Sequence, residues 1–554
     1  MHGAPTDPPS LRRSTLGTGT TEFYRSEIIF YLNGSRQSAA GDALQLTLAD
    51  WLRRDRRLVG TKVMCNEGDC GACSVLIGRP DATDSNRLQY RAVDACIALL
   101  FQLDRCHVVT VEGLTTPHIS TRHVPHNELT AIQRAMVDCH GSQCGFCTPG
   151  FIMAMHAMVA ANQPLNDDTM RYGLSGNLCR CTGYVQILEA GRRAAEEISD
   201  KSSQDSRLGD RFDEPAMIAD FHSLGRLPIQ TAGQYQTLIP QTIAQACQFR
   251  AAHRTATCVA GGTDYGVLRN HHRLSAGDVI YLGQIDLKHP TTQPIESSES
   301  SNGSPDNDQN AVQTDCGFQE IRITAKSLTI GAGATWTAIE RAVAGTVPEY
   351  HHLLTRFGSP QVRNMGTIGG NLASGSPIAD AVPFHLVLDT VLELASIRGL
   401  RLVRLEDFYQ GYRNTILEPD ELIVRIHTRL PTKNERLRLF KVSKRRDMDI
   451  STVTFAMLAN IADDTIVEAK VAVGGVGPQV MRIAPAEAFM RGKSWTLETL
   501  RAAGRIVREN VTPRTDVRGG ADYRCRLAEN LMVKSYYPAE SSVDHLAVRS
   551  DNEE

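Results

Sequence analysis

At 554 residues the chain has material for about three or four domains, and a hydrophobic fraction of 42% lets them bury substantial cores. Its 59 basic and 62 acidic residues leave a net charge of −3, which offers no field for a nucleic acid or an anionic membrane. The longest apolar run, residues 151–161, contains His156 and falls short of the ~20 residues that span a bilayer, so no membrane span is expected. The first residues lack the charged region and apolar core of a secretory leader. A cytoplasmic setting is expected, and with it free thiols rather than disulfides.

Residues 1–25, rich in Pro, Thr, Gly and Ser, read as a flexible extension. IIFYL at 28–32 then runs into Asn33-Gly34, a strong hairpin signal, and LTLADWLRR predicts a helix capped by Thr47. Strands are predicted over 73–77, 88–93 and 107–111. One helix against a small mixed sheet is the plan of a β-grasp domain.

Within that segment CNEGDCGAC places Cys65, Cys70 and Cys73 in a Cys-x4-Cys-x2-Cys array, with Cys96 as a distant fourth thiol. This is the spacing of a plant-type two-iron, two-sulfur site, and Gly68 and Gly71 allow the loop to turn its amides inward. A second set pairs Cys144 and Cys147 with Cys179 and Cys181. Structural zinc is the alternative there, although zinc sites usually join two Cys-x2-4-Cys pairs and the second pair is Cys-x-Cys. The other six cysteines show no paired spacing and read as ordinary thiols.

From about 127 to 198 the period becomes helical. Helices are predicted over 128–137, from Thr148-Pro149 with Thr148 as cap, over 167–172 and over 185–198. Phe151, Met155, Met158 and Val159 fall on one face of the second. The polar stretch from Lys201 reads as a linker. Beyond it, the run Val259, Ala260, Gly261, Gly262, Thr263 and Asp264 ends an apolar strand with amides free to meet a phosphate. A second loop carries Gly366, Thr367, Gly369, Gly370 and Asn371. Two such loops favour a dinucleotide, but neither is a GxGxxG motif opening a helix, so a Rossmann fold is not indicated. The polar segment 297–311, like the acidic end of the chain, has no apolar pattern and reads as disordered.

Taken in order, CNEGDCGAC, GSQCGFCTPG, NLCRCTGY, VAGGTDYGV, RNMGTIGGNLASGSPIADAVP, GYRNTILEPDELIV and FKVSKRRDMDI resemble the iron–sulfur and flavin portion of xanthine dehydrogenases of the molybdenum hydroxylase family. The likeness runs over about residues 26–535. It implies an α+β multi-domain chain: a plant-type [2Fe–2S] β-grasp domain at 26–115, a helical [2Fe–2S] domain at 116–198 and a linker at 199–226. An FAD-binding domain of the CO dehydrogenase flavoprotein type would follow at 227–432, then a small α+β C-terminal domain at 433–538 and a tail at 539–554.

The resemblance also implies roles. Cys65, Cys70, Cys73 and Cys96 would hold the cluster nearer the flavin, and Cys144, Cys147, Cys179 and Cys181 the one nearer molybdenum. Gln143 matches a residue approaching the pterin. Val259 to Asp264 with Gly366, Thr367, Gly370 and Asn371 match the FAD pyrophosphate backbone, while Phe357, Asp380, Ile423 and Lys441 match further flavin contacts. The stretch Arg445 to Ile450 would lie beside the flavin where NAD arrives. Because the sequence ends at Glu554, the molybdopterin centre is expected on a large partner subunit, in an α2β2 assembly. No residue of this chain is expected to serve as an acid–base catalyst. The rival readings are the same module in an aldehyde oxidase or carbon monoxide dehydrogenase, and a redox sensor.

Overall fold

The computed structural model describes residues 11–15, 21–115, 128–200, 208, 211–285 and 316–538. The polar segment 297–311 and the tail 539–554 lie outside the described residues. The architecture is multi-domain α+β, as expected.

The N-terminal extension is corrected where it is described. Strands β1 (Leu11–Thr15) and β2 (Thr21–Arg25) form an antiparallel hairpin, and β2 joins a sheet of the third domain through the parallel pairing Arg25↔Ile229. The anchor is a charge. Arg25 is fully buried and donates through two guanidinium nitrogens to Asp104, at 3.0 and 2.5 Å. One bidentate pair thus holds a segment that has no apolar pattern to announce it.

Strands β3 (Ile28–Leu32) and β4 (Ser35–Ala39) meet at a two-residue turn in which Asn33 (φ 48°) and Gly34 (φ 83°) are both left-handed, as a tight hairpin requires. With β5 (Ser74–Pro80), β6 (Leu88–Asp94) and β7 (His107–Val109) they build a sheet ordered β4-β3-β7-β5-β6, in which β3 and β7 are parallel. Helix α1 (Leu48–Arg54) is capped by the Thr47 hydroxyl, which accepts from the Asp50 amide at 3.1 Å. Its Leu48, Trp51 and Leu52 share one core with Phe30, Val75 and Val108. This is the expected β-grasp plan, and β5 leaves directly from the first cysteine loop.

The second domain holds α2 (Ala131–Asp138), α3 (Thr148–Ala160), α4 (Asp167–Gly173) and α5 (Val185–Asp200). A Thr130/Gln133 capping box starts α2 three residues later than predicted. In α3 the cap position belongs to Cys147, not Thr148, and Phe151 through His156 are buried together with Met158. The one-sided apolar stripe underestimates this burial because α3 is central, touching β5 and β6 as well as α2 and α4. The linker expected at 199–226 is also corrected. Helix α6 (Glu214–Ser223) lies within it and buries Met217, Ile218 and Phe221, the last set edge-on against Tyr31 at 5.6 Å.

In the third domain β8 (Ile229–Ala232), β9 (Gln236–Ile239), β10 (Thr257–Val259) and β11 (Val279–Tyr281) extend the hairpin into a sheet ordered β1-β2-β8-β9-β11-β10, with α7 (Ile243–Ala252) and α8 (Thr263–Asn270) between its strands. A second sheet takes β12 (Ile321–Ile323), β13 (Ser327–Gly331), β14 (Val391–Ser396) and β15 (Gly399–Arg404). After the short hairpin β16 (Tyr409–Gly411) and β17 (Asn414–Thr415) comes β18 (Leu422–Arg429), giving the order β12-β13-β18-β14-β15. Between β13 and β14 lie α9 (Trp336–Val343), α10 (Pro348–Thr355), α11 (Pro360–Arg363), α12 (Ile368–Ala373) and α13 (Val382–Val387), and α14 (Leu405–Phe408) follows β15.

The last domain is an antiparallel sheet of β19 (Glu435–Val442), β20 (Val453–Ala462), β21 (Thr465–Gly474) and β22 (Met481–Arg482) with α15 (Ala484–Met490), α16 (Leu497–Glu509) and α17 (Ala521–Lys534). Phe455, Val471 and Val473 pack with Leu500, Val507 and Met532 in its core. Among the described residues no helix is long and apolar enough to cross a membrane.

Candidate redox-cofactor site

The first cysteine set closes on itself. Cys65 receives hydrogen bonds from the thiols of Cys70 and Cys96, which hold its sulfur far below the ordinary thiol range and push both donors up. Cys96 also bonds to Cys73, so the four sulfurs form one linked group. The Asp69 amide donates to Cys65 Sγ at 3.4 Å. Left-handed Gly68 (φ 77°) and Gly71 (φ 64°) bend the loop so that such amides point inward. Cys73 and Cys96 are buried, whereas Cys65 and Cys70 are half-buried. Ligand thiolates must be deprotonated; Cys65 and Cys73 are lowered toward that state, whereas Cys70 and Cys96 are raised and would release their protons on binding a cluster.

In the second set Cys181 Sγ stands 3.5 Å from Cys144 Sγ, and Cys147 bonds to Cys179. For Cys179 burial raises the thiol, but hydrogen bonds led by Thr182, whose hydroxyl lies at 3.2 Å, bring it below the ordinary range. The Cys179 amide donates to the Tyr184 hydroxyl at 3.1 Å, which ties the Cys179–Cys181 turn to the start of α5. Cys144 and Cys181 are exposed, and so are Gln143 before them and Phe146, Leu178, Tyr184 and Val185 around them. Among the described residues, no three His, Cys, Asp or Glu groups gather as the ligands of a single ion.

The two glycine loops of the third domain touch. A Cβ on Gly261 would come within 2.2 Å of the Met365 carbonyl and 2.8 Å of Gly366 Cα. Gly262 (φ 76°) is the cap residue of α8, so the amides of Thr263 and Asp264 open that helix without a side-chain acceptor. Thr367 caps α12, accepting from the Gly370 amide at 3.3 Å. The Oδ1 atom of Asn371 is buried with no hydrogen-bond partner, an orphan acceptor beside these loops that a bound group could satisfy. Backbone amides at a helix start, a close loop pair and an orphan polar atom together fit a dinucleotide.

The other expected contacts are placed less uniformly. Trp336, whose amide donates to the Gly366 carbonyl at 3.0 Å, stacks obliquely on Phe357 with ring centres 4.6 Å apart. Ile423 is buried on β18 beside Val424, whose carbonyl meets the Ala332 amide, and the Ala332 carbonyl in turn accepts from Gly369. Asp380 and Lys441 form a buried pair at 2.6 Å across the boundary to the last domain, and Ser451 donates to the same carboxylate at 2.6 Å. The Arg445–Ile450 loop stands close enough to the first cysteine loop for Arg445 to act on Asp69, whose carboxyl is raised by burial, Glu67 and Cys65 against that pull.

Sequence reasoning missed the residues that join these parts. Asn177 donates from Nδ2 to the Gly71 carbonyl at 3.0 Å, and the Leu178 amide donates to the Cys70 carbonyl at 3.0 Å, so the two cysteine loops are hydrogen-bonded to each other. Gln361 on α11 is buried and donates to Ser74 Oγ at 3.1 Å and Asn177 Oδ1 at 2.9 Å, linking three domains. Gln102 donates to the Gly261 carbonyl at 3.1 Å. Asn270, at the far end of α8 from Gly262, donates to the carbonyls of Asn66 at 2.9 Å and Cys96 at 2.8 Å. Lone amides at these positions carry no spacing pattern, so only their neighbours reveal them.

Four family models match the chain in the expected order. A 2Fe-2S iron-sulfur cluster binding domain matches residues 30–100, and a [2Fe-2S] binding domain matches 110–192. The FAD binding domain in molybdopterin dehydrogenase matches 316–432, and the CO dehydrogenase flavoprotein C-terminal domain matches 438–539. The chain is 28% identical to the xanthine dehydrogenase of Drosophila subobscura, over 94% of this chain and 40% of that protein. It is also 28% identical to aldehyde oxidase 2 of Cavia porcellus, over 92% of this chain and 39% of that protein. Carbon monoxide dehydrogenase from Hydrogenophaga pseudoflava is 22% identical, with a TM-score of 0.47 over 54% of this chain and 95% of that one. The chain thus spans about 40% of the length of the curated relatives it matches. The matched domains are thus two of the [2Fe-2S]-binding type, one FAD-binding domain of the molybdopterin dehydrogenase type and one CO dehydrogenase flavoprotein C-terminal domain.

Proposed function

We propose that this chain is the iron–sulfur and FAD subunit of a xanthine dehydrogenase, working in the cytoplasm with a molybdopterin-binding large subunit in an α2β2 assembly and delivering electrons from purine hydroxylation to NAD. The observation that carries this reading is the graded placement of the thiol sets. Cys144 and Cys181 open outward among exposed Phe146, Leu178, Tyr184 and Val185, as a site receiving electrons from a partner requires. Cys73 and Cys96 are buried inside, and Asn270 ties their domain to α8, whose first turn is the glycine loop.

In this reading Cys144, Cys147, Cys179 and Cys181 hold the outer cluster, with Gln143 toward the pterin. Cys65, Cys70, Cys73 and Cys96 hold the inner one, and the glycine loops with Asn371, Phe357, Asp380, Ile423 and Lys441 hold FAD. When bound, the two clusters carry single electrons and the flavin couples them to two-electron nicotinamide chemistry. The chain's own residues position these groups: Asn177 and Gln361 set one cysteine loop against the other, and Gln102 and Asn270 set the inner loop against the flavin helix.

The test is a division of labour. The full chain, loaded with FAD and clusters, is expected to oxidise NADH with an artificial acceptor and to leave xanthine and hypoxanthine untouched. Adding the molybdopterin subunit is expected to restore purine-dependent NAD reduction. Purine oxidation by the chain alone would overturn the assignment. The equal identity to an aldehyde oxidase supports a second reading, the same module in an aldehyde-oxidising enzyme. A screen of purines against aldehydes with the complete complex decides between them. A chain that co-purifies with no molybdopterin subunit would favour a redox sensor.

A further inference from the structure

A cavity of about 400 Å3 lies at the seam between three domains, where β6, the end of α3 and α9 meet. None of its lining residues belongs to the cysteine sets or the glycine loops. Three of them are arginines: Arg87 and Arg91 from the β-grasp domain and Arg341 from α9 of the FAD domain. Among the described residues none of the three makes an ion pair, and Arg91 donates only to the neutral Gln89 side chain, at 2.7 Å. Fully buried guanidiniums elsewhere are answered by carboxylates, Arg25 by Asp104, Arg363 by Glu340 and Arg524 by Asp516.

Three carboxylates share the cavity and keep their charge, but among the described residues none of them is in ion-pair contact with the three guanidiniums; they are held by backbone amides and, for Glu214, by the Tyr90 hydroxyl. Asp81 accepts from Thr83 at 2.8 Å, Asp84 from Asn86 at 3.0 Å and Glu214 from Leu88 at 3.1 Å. Arg91 is half-buried, and burial, followed by the like charges of Arg341 and Arg79, brings it down to about 10, with Asp81 offsetting only part. Arg341, itself exposed, acts on half-buried Arg91 as a like charge, and an anion seated between them relieves that repulsion. Their planar donor forks match phosphate oxygens in pairs. A smaller cavity of about 100 Å3 shares Arg91 and Arg341 and reaches Tyr172, so the cleft continues past the charged cluster. The combined space suits a small organic molecule rather than a bare ion.

We propose that this cleft binds a phosphate-bearing small molecule, held by Arg87 and Arg91 of one domain and Arg341 of another. Bound there, the anion ties the β-grasp and FAD domains together across their seam, an effector position separate from the redox path. The experiment titrates the FAD-loaded full chain with inorganic pyrophosphate by calorimetry, at constant ionic strength. The expected result is saturable binding, weakened by about tenfold or more in Arg341→Gln and in Arg91→Gln, since each loses a charge-assisted pair. Arg91→Lys keeps the charge without the fork and is expected to lose less. Arg341 is exposed, so its substitution leaves the fold standing, and flavin absorbance and melting temperature verify this for each variant. Pyrophosphate is expected to raise the melting temperature of the unsubstituted chain and not that of Arg341→Gln. No saturable binding, or binding at full strength in both glutamine variants, overturns the proposal.

Discussion

A cysteine becomes a ligand only as a thiolate, and in each set two thiols are drawn toward that state while the other two, Cys70 and Cys96 in one and Cys147 and Cys181 in the other, are pushed up. In the first, Cys70 and Cys96 share their protons with Cys65 inside a loop bent by left-handed glycines. In the second, the thiol of exposed Cys144 is lowered by the Phe146 amide and the Cys181 thiol, and that of Cys179 by Thr182. Cys179→Ser is therefore expected to remove one of two reduced-cluster EPR signals and keep the other. Loss of both would count against this division of ligands. The glycines also separate at this scale. Gly262 has φ 76°, and a Cβ there would come within 2.8 Å of Gln102 Nε2, so its side-chain space belongs to the β-grasp domain. Gly262→Ala is expected to cost about 1–2 kcal/mol for the left-handed backbone alone and to loosen FAD. At Gly370 a Cβ would meet only its own turn, but the cap hydroxyl Thr367 Oγ1 at 3.2 Å must yield slightly, so Gly370→Ala is expected to cost less than Gly262→Ala. Chemical denaturation with flavin release as the second readout compares the two.

At the level of elements, local patterns were legible wherever a segment carried its own stop and start signals. Asn33-Gly34 placed a hairpin and Thr47 placed a helix start, because turn and cap chemistry act over a few residues. The N-terminal hairpin and α6 were illegible for the opposite reason, since each is held by partners far along the chain. Arg25 reaches Asp104, and Phe221 reaches Tyr31. Asp104→Ala strands a fully buried guanidinium and is expected to cost about 3–5 kcal/mol, measured by denaturant unfolding. Release of β2 in that variant, read by faster amide exchange at Arg25, would show that the ion pair holds the hairpin. An unfolding midpoint equal to that of the unsubstituted chain would remove the pair from the account.

Over the whole molecule, three buried histidines make stability depend on pH domain by domain. His107, His156 and His385 are each lowered by burial to about 3, and Arg211 adds to the effect at His156. A histidine whose folded value is depressed contributes stability that is present above its unfolded value near 6.5 and lost as pH falls toward the folded value, because the unfolded chain takes up the proton first. The first three domains hold one such histidine each, and residues 433–538 contain none. Melting followed between pH 7 and pH 4 is expected to show the first three domains weakening below about pH 6.5 while the last changes less. A uniform decline across all four would argue against the histidines. Metal analysis of the same preparation is expected to find iron and acid-labile sulfide in equal amounts, about four of each per chain.

The iron–sulfur and flavin domain types were legible in the sequence by itself, because thiol spacing and glycine-rich strand ends are patterns that the fold leaves intact. The sequence also determined the order of the four domain types, which the family matches follow. Only the tertiary structure decided how those groups are joined. Asn177 against Gly71, Gln361 against Ser74, Gln102 against Gly261 and Asn270 against Cys96 are contacts between single polar side chains and distant carbonyls or hydroxyls. The seam cavity likewise joins two distant stretches, Arg87 and Arg91 at β6 and Arg341 on α9. Such contacts have no period and no spacing, and they exist only once whole domains pack and bring a donor within reach of an acceptor far along the chain.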